Sequence, residues 1–390
     1  MAEGSRYSSY FIKETSSGVT PATGTLKIFR ATKSGLDINI ATLQSEEIRD
    51  DAEVADFRLG TRHVEGTASA EFSYQTFDDL LAAALRSSFV SGVVKGGIDR
   101  QSFTFIDYNA DVTDFPYTIY RGCEINTLAI TVAASAMVGI EFGIVGRTME
   151  QAATLPAGLT VGARTTTAPM DGFSGALNMG GSVVDVITEM AINIENGIEP
   201  RFVVGSKFSI KPGSKRRQIT GTMTAYYENN ALRTKFLNEQ ESELTIDIID
   251  GTTGAGYRFT MPRVKITEAH RPIDGEGDIM LNMSYRGLLD QTKGYSLSIK
   301  QLTPITFTTN LTPTKSVTAG NALTMTVAVS GGQTPYTYVW KKGGSVVSGQ
   351  TTATFNKAGA AAGDSGTYVC EVTGANGLTV SSVACVVTVA

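Results

Sequence analysis

Apolar and polar positions alternate through GTASAEF (66–72), where Ala68, Ala70 and Phe72 fall on one side of an extended chain and Thr67, Ser69 and Glu71 on the other. The pattern predicts a half-buried β-strand. It recurs in GTMTAYY (221–227), with Met223, Ala225 and Tyr227 on the inward side and Thr222, Thr224 and Tyr226 on the outward one. The flanks recur as well. DINI (37–40) corresponds to AINI (191–194), and Ile140, Phe142 and Ile144, closed by Gly146, correspond to Leu281, Met283 and Tyr285, closed by Gly287. The offset shrinks by about fourteen residues between the upstream and downstream matches, so SSFVSGVVKGGIDR (87–100) is expected to be an extra surface loop of the first copy.

A helix signal follows each repeated strand. TFDDLLAAALRS (76–87) offers Thr76 as N-cap, Asp78 and Asp79 in the first turn, and Phe77, Leu80, Leu81, Ala84 and Leu85 on one stripe. The second copy, NNALRTKFLNEQ (229–240), predicts a weaker helix capped by Asn229 or Asn230, with Leu232, Phe236 and Leu237 along its stripe. Strand patterns return in QSFTFIDY (101–108) and PYTIYRGCEI (116–125), and again in ELTIDIID (243–250) and YRFTMPRVKI (257–266). A period near 150 residues is that of a domain, because solenoid units repeat every 20–50. The expected architecture is mainly β: a duplicated β-sandwich with a flanking helix in each copy, at 1–165 and 166–300.

Past residue 300 the texture changes. From 304 to 390 the charged residues are Lys315, Lys341, Lys342, Lys357, Asp364 and Glu371, in a background of Thr, Ser, Gly, Val and Ala. Short strand patterns separated by turn signals predict a third domain, a β-sandwich at 304–390. Trp340 on PYTYVWKK (335–342) and the run DSGTYVC (364–370), with Asp364, Tyr368 and Cys370, resemble an immunoglobulin-like core: a Trp between the sheets and a tyrosine corner two residues before the Cys. The departure is that ALTMTVAVS (322–330) carries no Cys to pair with Cys370, and Cys385 lies on the adjacent last strand. Free thiols are expected.

Composition narrows the function. The 390 residues are 42% apolar and 18% charged, with a net charge of -5, which suits a globular chain and argues against broad nucleic-acid binding. MAEGSRYSSYFIKETSS, at the start, lacks the apolar core of a secretory signal, and its surroundings, to about residue 25, read as a mobile terminus or an arm ordered on assembly. LAITVAASAMVGI (128–140) falls short of the roughly 20 residues that cross a bilayer, so no membrane insertion is expected. The widely spaced Cys123, Cys370 and Cys385 suit a reducing compartment. His63 and His270 belong to no metal or nucleophile motif. The carboxylates around His270 (Glu268, Asp274, Glu276 and Asp278) fit no metal loop and read as an exposed turn. Gly175, Gly180 and Gly181 miss the spacing of both phosphate-binding fingerprints. No catalysis, metal or cofactor is expected.

One contrast between the copies stands out. Between its first strand and the repeated strand, copy one carries Glu46, Glu47, Asp50, Asp51, Glu53 and Asp56 against Arg49. The matching interval of copy two carries Lys207, Lys211, Lys215, Arg216 and Arg217. Opposite charge on equivalent loops is expected either from two solvated loops that diverged or from loops that meet across a subunit contact.

SEEIRDD (45–51), then Asp56, Gly60, VEG (64–66), Glu71 and FDDLLAAAL (77–85), resemble the tail tube proteins of long-tailed, noncontractile bacteriophages. That resemblance implies a β-sandwich with a flanking helix, rings whose inner strands join into a continuous barrel, and rings stacked by long loops into a tube that carries DNA without binding it specifically. It also implies an immunoglobulin-like domain displayed outside, other tail proteins at the tube ends, and synthesis in the host cytoplasm before assembly into the virion. Two copies per chain suit a trimeric, pseudo-sixfold ring; a hexamer of chains is the alternative. Two other classes compete: a surface adhesin that binds glycans through its immunoglobulin-like domain, and a tail-associated hydrolase. The missing signal counts against the first, and the want of a paired-carboxylate cleft against the second.

Overall fold

The structure is a computed structural model that describes residues 3–273, 275–375 and 377–390. Asp274, one of the carboxylates near His270, lies outside the described residues. The chain divides into two compact units, one holding residues up to 248 together with 258–300, the other 249–257 together with 301–390.

In the first unit the leading repeat contributes β1 (Tyr7–Lys13), β2 (Gly24–Phe29), β3 (Asp37–Gln44), β4 (Phe57–Glu71), α1 (Asp78–Ala84), β5 (Val93–Lys95), β6 (Phe103–Asn109), β7 (Tyr117–Ala133) and β8 (Gly139–Gly146). The second contributes β9 (Ile187–Glu195), β10 (Ile198–Arg201), β11 (Ile210–Ser214), β12 (Gln218–Tyr226), α2 (Ala231–Leu237), β13 (Ser242–Ile249), β14 (Gly256–His270), β15 (Met280–Gly287) and β16 (Ser298–Leu302).

The antiparallel order β3-β4-β8-β7 is followed without a break by β9-β12-β15-β14. Each repeat therefore supplies four strands in the same order, and β7 of the first pairs with β9 of the second. Registers agree residue for residue where the sequences align. Gly66, Ala68 and Ala70 stand opposite Ile144, Phe142 and Ile140, while Gly221, Met223 and Ala225 stand opposite Tyr285, Met283 and Leu281. Even the irregularity recurs: β7 is bulged between Ile125 and Thr127, and β14 between Ile266 and Glu268. β3 differs, since Ile38 faces Val64 whereas Ile192 faces Gly221. A shift of two residues leaves the same side chains on the core face.

The glycine that opens each heptapeptide has a steric cause. A Cβ on Gly66 would stand 2.1 Å from the Gly35 carbonyl oxygen, and one on Gly221 2.2 Å from that of Ala191. Both contacts are with main chain, which cannot step aside.

Three local expectations are corrected. The N-terminal segment is neither loose nor an arm: β1 pairs with both β2 and β6, and Phe11 is buried against Phe103 and Phe105. Residues 87–100 are not a plain surface loop, because β5 pairs with β16 through Val93–Lys95 and Ser298–Lys300, and Val94 is buried. Finally, Phe77 rather than Thr76 caps α1, without a side-chain bond. The Thr76 hydroxyl lies 2.7 Å from that of Ser73 and 3.0 Å from that of Thr165, which ties it to the segment beyond β8 instead. The helix is fully used, with Leu80 to Ala84 all buried. By contrast α2 buries none of its residues, and the Asn229 side chain accepts the Ala231 N–H at its start.

The second unit contains β17 (Leu323–Thr326), β18 (Thr337–Lys342), β19 (Thr354–Lys357), β20 (Gly366–Thr373) and β21 (Cys385–Val389). β18 and β21 flank β20, while β17 pairs with β19, and the two layers enclose Leu323, Met325, Trp340, Phe355, Tyr368 and Cys370. This is an immunoglobulin-like sandwich. Tyr368 donates its hydroxyl to the Asp364 carbonyl at 2.8 Å, forming the tyrosine corner, and the Trp340 indole donates to Thr352. Met325 lies in this core on β17, the strand without a cysteine, and Cys123, Cys370 and Cys385 are all free and buried.

Candidate assembly surfaces

Each repeat projects a hairpin arm. In the first, β3 and β4 run together to Gln44 and Phe57, and the tip 45–56 is closed by the Ser45 N–H on the Asp56 carbonyl at 2.9 Å. In the second, β10 and β11 pair as far as Arg201 and Ile210, leaving 202–209 as the tip. The second tip is seated. Its Lys207 carbonyl accepts the Arg62 N–H at 2.7 Å, and its Ser209 N–H donates to the Arg62 carbonyl at 3.2 Å, so both main-chain groups of Arg62 are satisfied. The Arg62 guanidinium lies over the Phe208 ring, Phe202 meets His63 edge to face, and Arg147 donates to the Ser209 carbonyl.

The first tip is unseated. Glu46, Glu47, Asp50 and Glu53 are exposed and form no ion pair among the described residues; Asp51 pairs with Arg49 at 2.6 Å and Asp56 with Arg58 at 2.8 Å. The Arg49 guanidinium holds Asp51 below the usual carboxylate range. Apolar side chains share this surface, with Ile48 99% and Val54 57% exposed.

The repeat offset equates Arg62 with Arg217, Gly146 with Gly287 and Arg147 with Leu288. Around those counterparts lies an open groove of about 780 Å³, lined by Lys215, Arg216, Arg217, Ile219, Arg286, Leu288 and Leu289. It is the same place on the second repeat that the tip 202–209 fills on the first.

The residues expected as a basic contact loop separate into three roles. Lys207 and Lys211 are exposed on the second arm; Lys215 pairs with Glu199, and Arg216 is exposed at the groove. Arg217 is a strut: it donates to the Gly97 carbonyl at 2.6 Å and reaches the Asn196 side chain, while desolvation and the neighbouring Arg86 push its pKa down to about 10. Sequence reasoning missed Arg62, Phe208, Arg286, Leu288 and Leu289. Extending the repeat offset from the heptapeptide to Arg62 and Arg217 would have pointed to them.

The sheet has two further features. β3 pairs with β4 on one side and no strand lies against its other edge among the described residues, while β14 pairs with β15 over Val264–His270 and also with β16. The sheet face away from the core is polar, with Thr67, Ser69, Asn193, Thr222 and Ser284 interspersed with Glu71, Glu141, Glu189 and Glu268. Near His270, Glu268 accepts the Ser284 hydroxyl, and no group of three metal-binding side chains occurs among the described residues. No helix there is long and apolar enough to cross a membrane.

An open strand edge, a seated arm, an unseated arm and a vacant groove are the equipment of a subunit that assembles. In agreement, residues 4–287 match the phage tail tube protein family, and the chain belongs to that family. Residues 305–373 match the immunoglobulin domain. A decoration protein of Escherichia phage T5 is 43% identical over 86 residues, which is 22% of this chain and 52% of that protein, so the match spans about half of the relative's length. The protein is thus a phage structural protein and a virion component. Among solved structures, extracellular domains 3–5 of Drosophila OTK align at 9% identity over 55% of this chain and 85% of theirs, with a TM-score of 0.20. The four N-terminal immunoglobulin domains of Dscam1 isoform 8.4 align at 10% identity over 98% of this chain and 99% of theirs, with a TM-score of 0.22. Scores this low carry no argument about this chain.

Proposed function

We propose that the chain polymerises as stacked rings into the phage tail tube, the conduit for DNA ejection, with three chains in each ring. The observation that carries this reading is the β7–β9 junction, which joins the two repeats edge to edge within one chain. In the repeat, β14 is the counterpart of β7, and β3, whose outer edge is open, is the counterpart of β9. Pairing β14 of one chain with β3 of the next repeats the junction head to tail, and a heterologous contact repeated by rotation closes a ring. Closure also removes edges that would otherwise invite aggregation. The polar sheet face then lines the lumen, where Glu71, Glu141, Glu189 and Glu268 outnumber Arg286 and leave little to hold DNA phosphates. Self-association and contacts with other tail proteins at the tube ends make up its partners, and no step requires catalysis. We read the immunoglobulin-like domain as an exterior appendage, supported by the decoration protein relative. The reading places synthesis in the host cytoplasm, where the free thiols stay reduced.

Electron microscopy of the concentrated full chain, with mass measurement of isolated rings, tests it. Tubes built of three-chain rings are expected. Six chains per ring would refute the trimer and leave the tube; absence of any ring would overturn the reading.

A further inference from the structure

We propose that the groove bounded by Lys215–Ile219 and Arg286–Leu289 receives the acidic tip 45–56 of a second copy of this chain. This rests on the ring reading and names the lateral contact that accompanies strand pairing.

The template lies within the chain. On the first repeat, the tip 202–209 clamps Arg62 through both main-chain groups and packs Phe208 and Phe202 against the strand. On the second repeat the equivalent residue is Arg217, whose main chain makes no hydrogen bond among the described residues. The groove beside it is vacant. The number of arms matches the number of seats only if the first arm crosses to a neighbour: the second arm occupies the first repeat's seat, so the second repeat's seat is left for the first arm of the next chain.

Chemistry points the same way. Lys215, Arg216 and Arg286 rim the groove, and Ile219, Leu288 and Leu289 provide apolar wall. The incoming tip carries Glu46, Glu47, Asp50 and Glu53 unpaired, with Ile48 and Val54 projecting. Within the chain, the tip that sits against Arg62 carries Lys207 instead of carboxylates. The two seats therefore differ in charge demand, which directs each arm to its own groove and fixes the order of repeats around the ring.

Two measurements test this in the full chain. First, Val54→Cys and Leu289→Cys are made in separate chains; both sites are exposed, and the native thiols are buried. After assembly, a disulfide or bis-maleimide cross-link is expected only in the mixture, and a chain bearing both changes should give a ladder ending at the ring's chain count. Second, Arg216→Glu with Arg286→Glu should slow assembly about tenfold at low salt, and adding Glu47→Lys with Asp50→Lys should restore most of the rate. If rings form in the microscope but the mixture never cross-links, the contact is wrong and the tube reading stands. If the reversed and doubly reversed chains are equally slow, the charge pairing is wrong. If the parent forms no ring, both proposals fall together.

Discussion

The two repeats share a sheet and little else. Strand order, the register of β4 with β8 and of β12 with β15, and the bulge in β7 and β14 coincide, yet α1 is buried along five successive residues while α2 buries none. Ion pairs follow the same division. Glu124 on β7 receives a bidentate Arg100 at 2.7 and 2.8 Å, whereas Lys265 at the equivalent place on β14 pairs with Glu239 at 2.7 Å, so the polarity is reversed. Main-chain pairing tolerates any side chain that respects the face, so register survives where charge and packing do not. The difference teaches that the sheet is the part whose geometry must be interchangeable between repeats. The helices and tips are where each repeat is adapted to its own neighbour.

The largest expected effect tests the helices. Leu81→Ala removes a fully buried side chain from α1, and truncation with incomplete collapse costs about 2–5 kcal/mol. Leu237→Ala on α2 starts from a side chain 65% exposed and should change stability by less than about 0.5 kcal/mol. Urea unfolding followed by far-ultraviolet circular dichroism measures both. Equal losses would mean that α2 is packed in solution and that the two repeats are more alike than their burial shows.

This asymmetry was partly legible in the sequence. The FDDLLAAAL stripe (77–85) places apolar residues densely enough to require burial, and NNALRTKFLNEQ (229–240) does not. The strands were legible because alternation at period two survives single substitutions, and the tyrosine corner because Tyr368 and Cys370 keep a fixed spacing from Asp364. What escaped were contacts between distant segments. Nothing local in VVK (93–95) announces its pairing with residues 298–300, and nothing in SSYFIK (8–13) says that β1 is flanked on both sides. The groove was hidden for another reason: it is a vacancy, visible only once the filled counterpart around Arg62 is known. The opposite charges of the two loops were plain, but not that Arg217 spends its guanidinium on Gly97.

The ion pairs give a second effect of the same order. The Glu124 side chain is 3% exposed, so Glu124→Ala strands the Arg100 guanidinium, itself only 18% exposed; breaking a buried pair in this way costs about 3–5 kcal/mol. Lys265→Ala, at the matching place on β14, should fall within the scatter of ordinary surface changes. The same unfolding experiment ranks the two. If they cost the same, equivalence of position outweighs burial, and the contrast drawn between the repeats fails.

The smallest effect lies in the exposed carboxylates after α2. Hydrogen bonding to Lys265 lowers the pKa of Glu239, and Arg263 does the same for Glu241, to which it donates at 2.6 and 2.8 Å. A carboxylate whose folded pKa is depressed contributes stability above its unfolded pKa, about 4.3 for Glu, and that contribution fades as pH falls through the lower folded value. The double variant Glu239→Gln, Glu241→Gln should therefore be slightly less stable than the parent at pH 7, and the gap should close as the pH is taken below 4. Salt should narrow the gap at pH 7 as well, because both pairs face solvent and screening acts over about 8 Å at physiological ionic strength. Parent and variant are compared by thermal unfolding across that pH range. A gap that persists unchanged at pH 3 would mean that the glutamates act through packing and not charge. A gap that widens on acidification would reverse the sign of the linkage and put the folded pKa values above the unfolded ones.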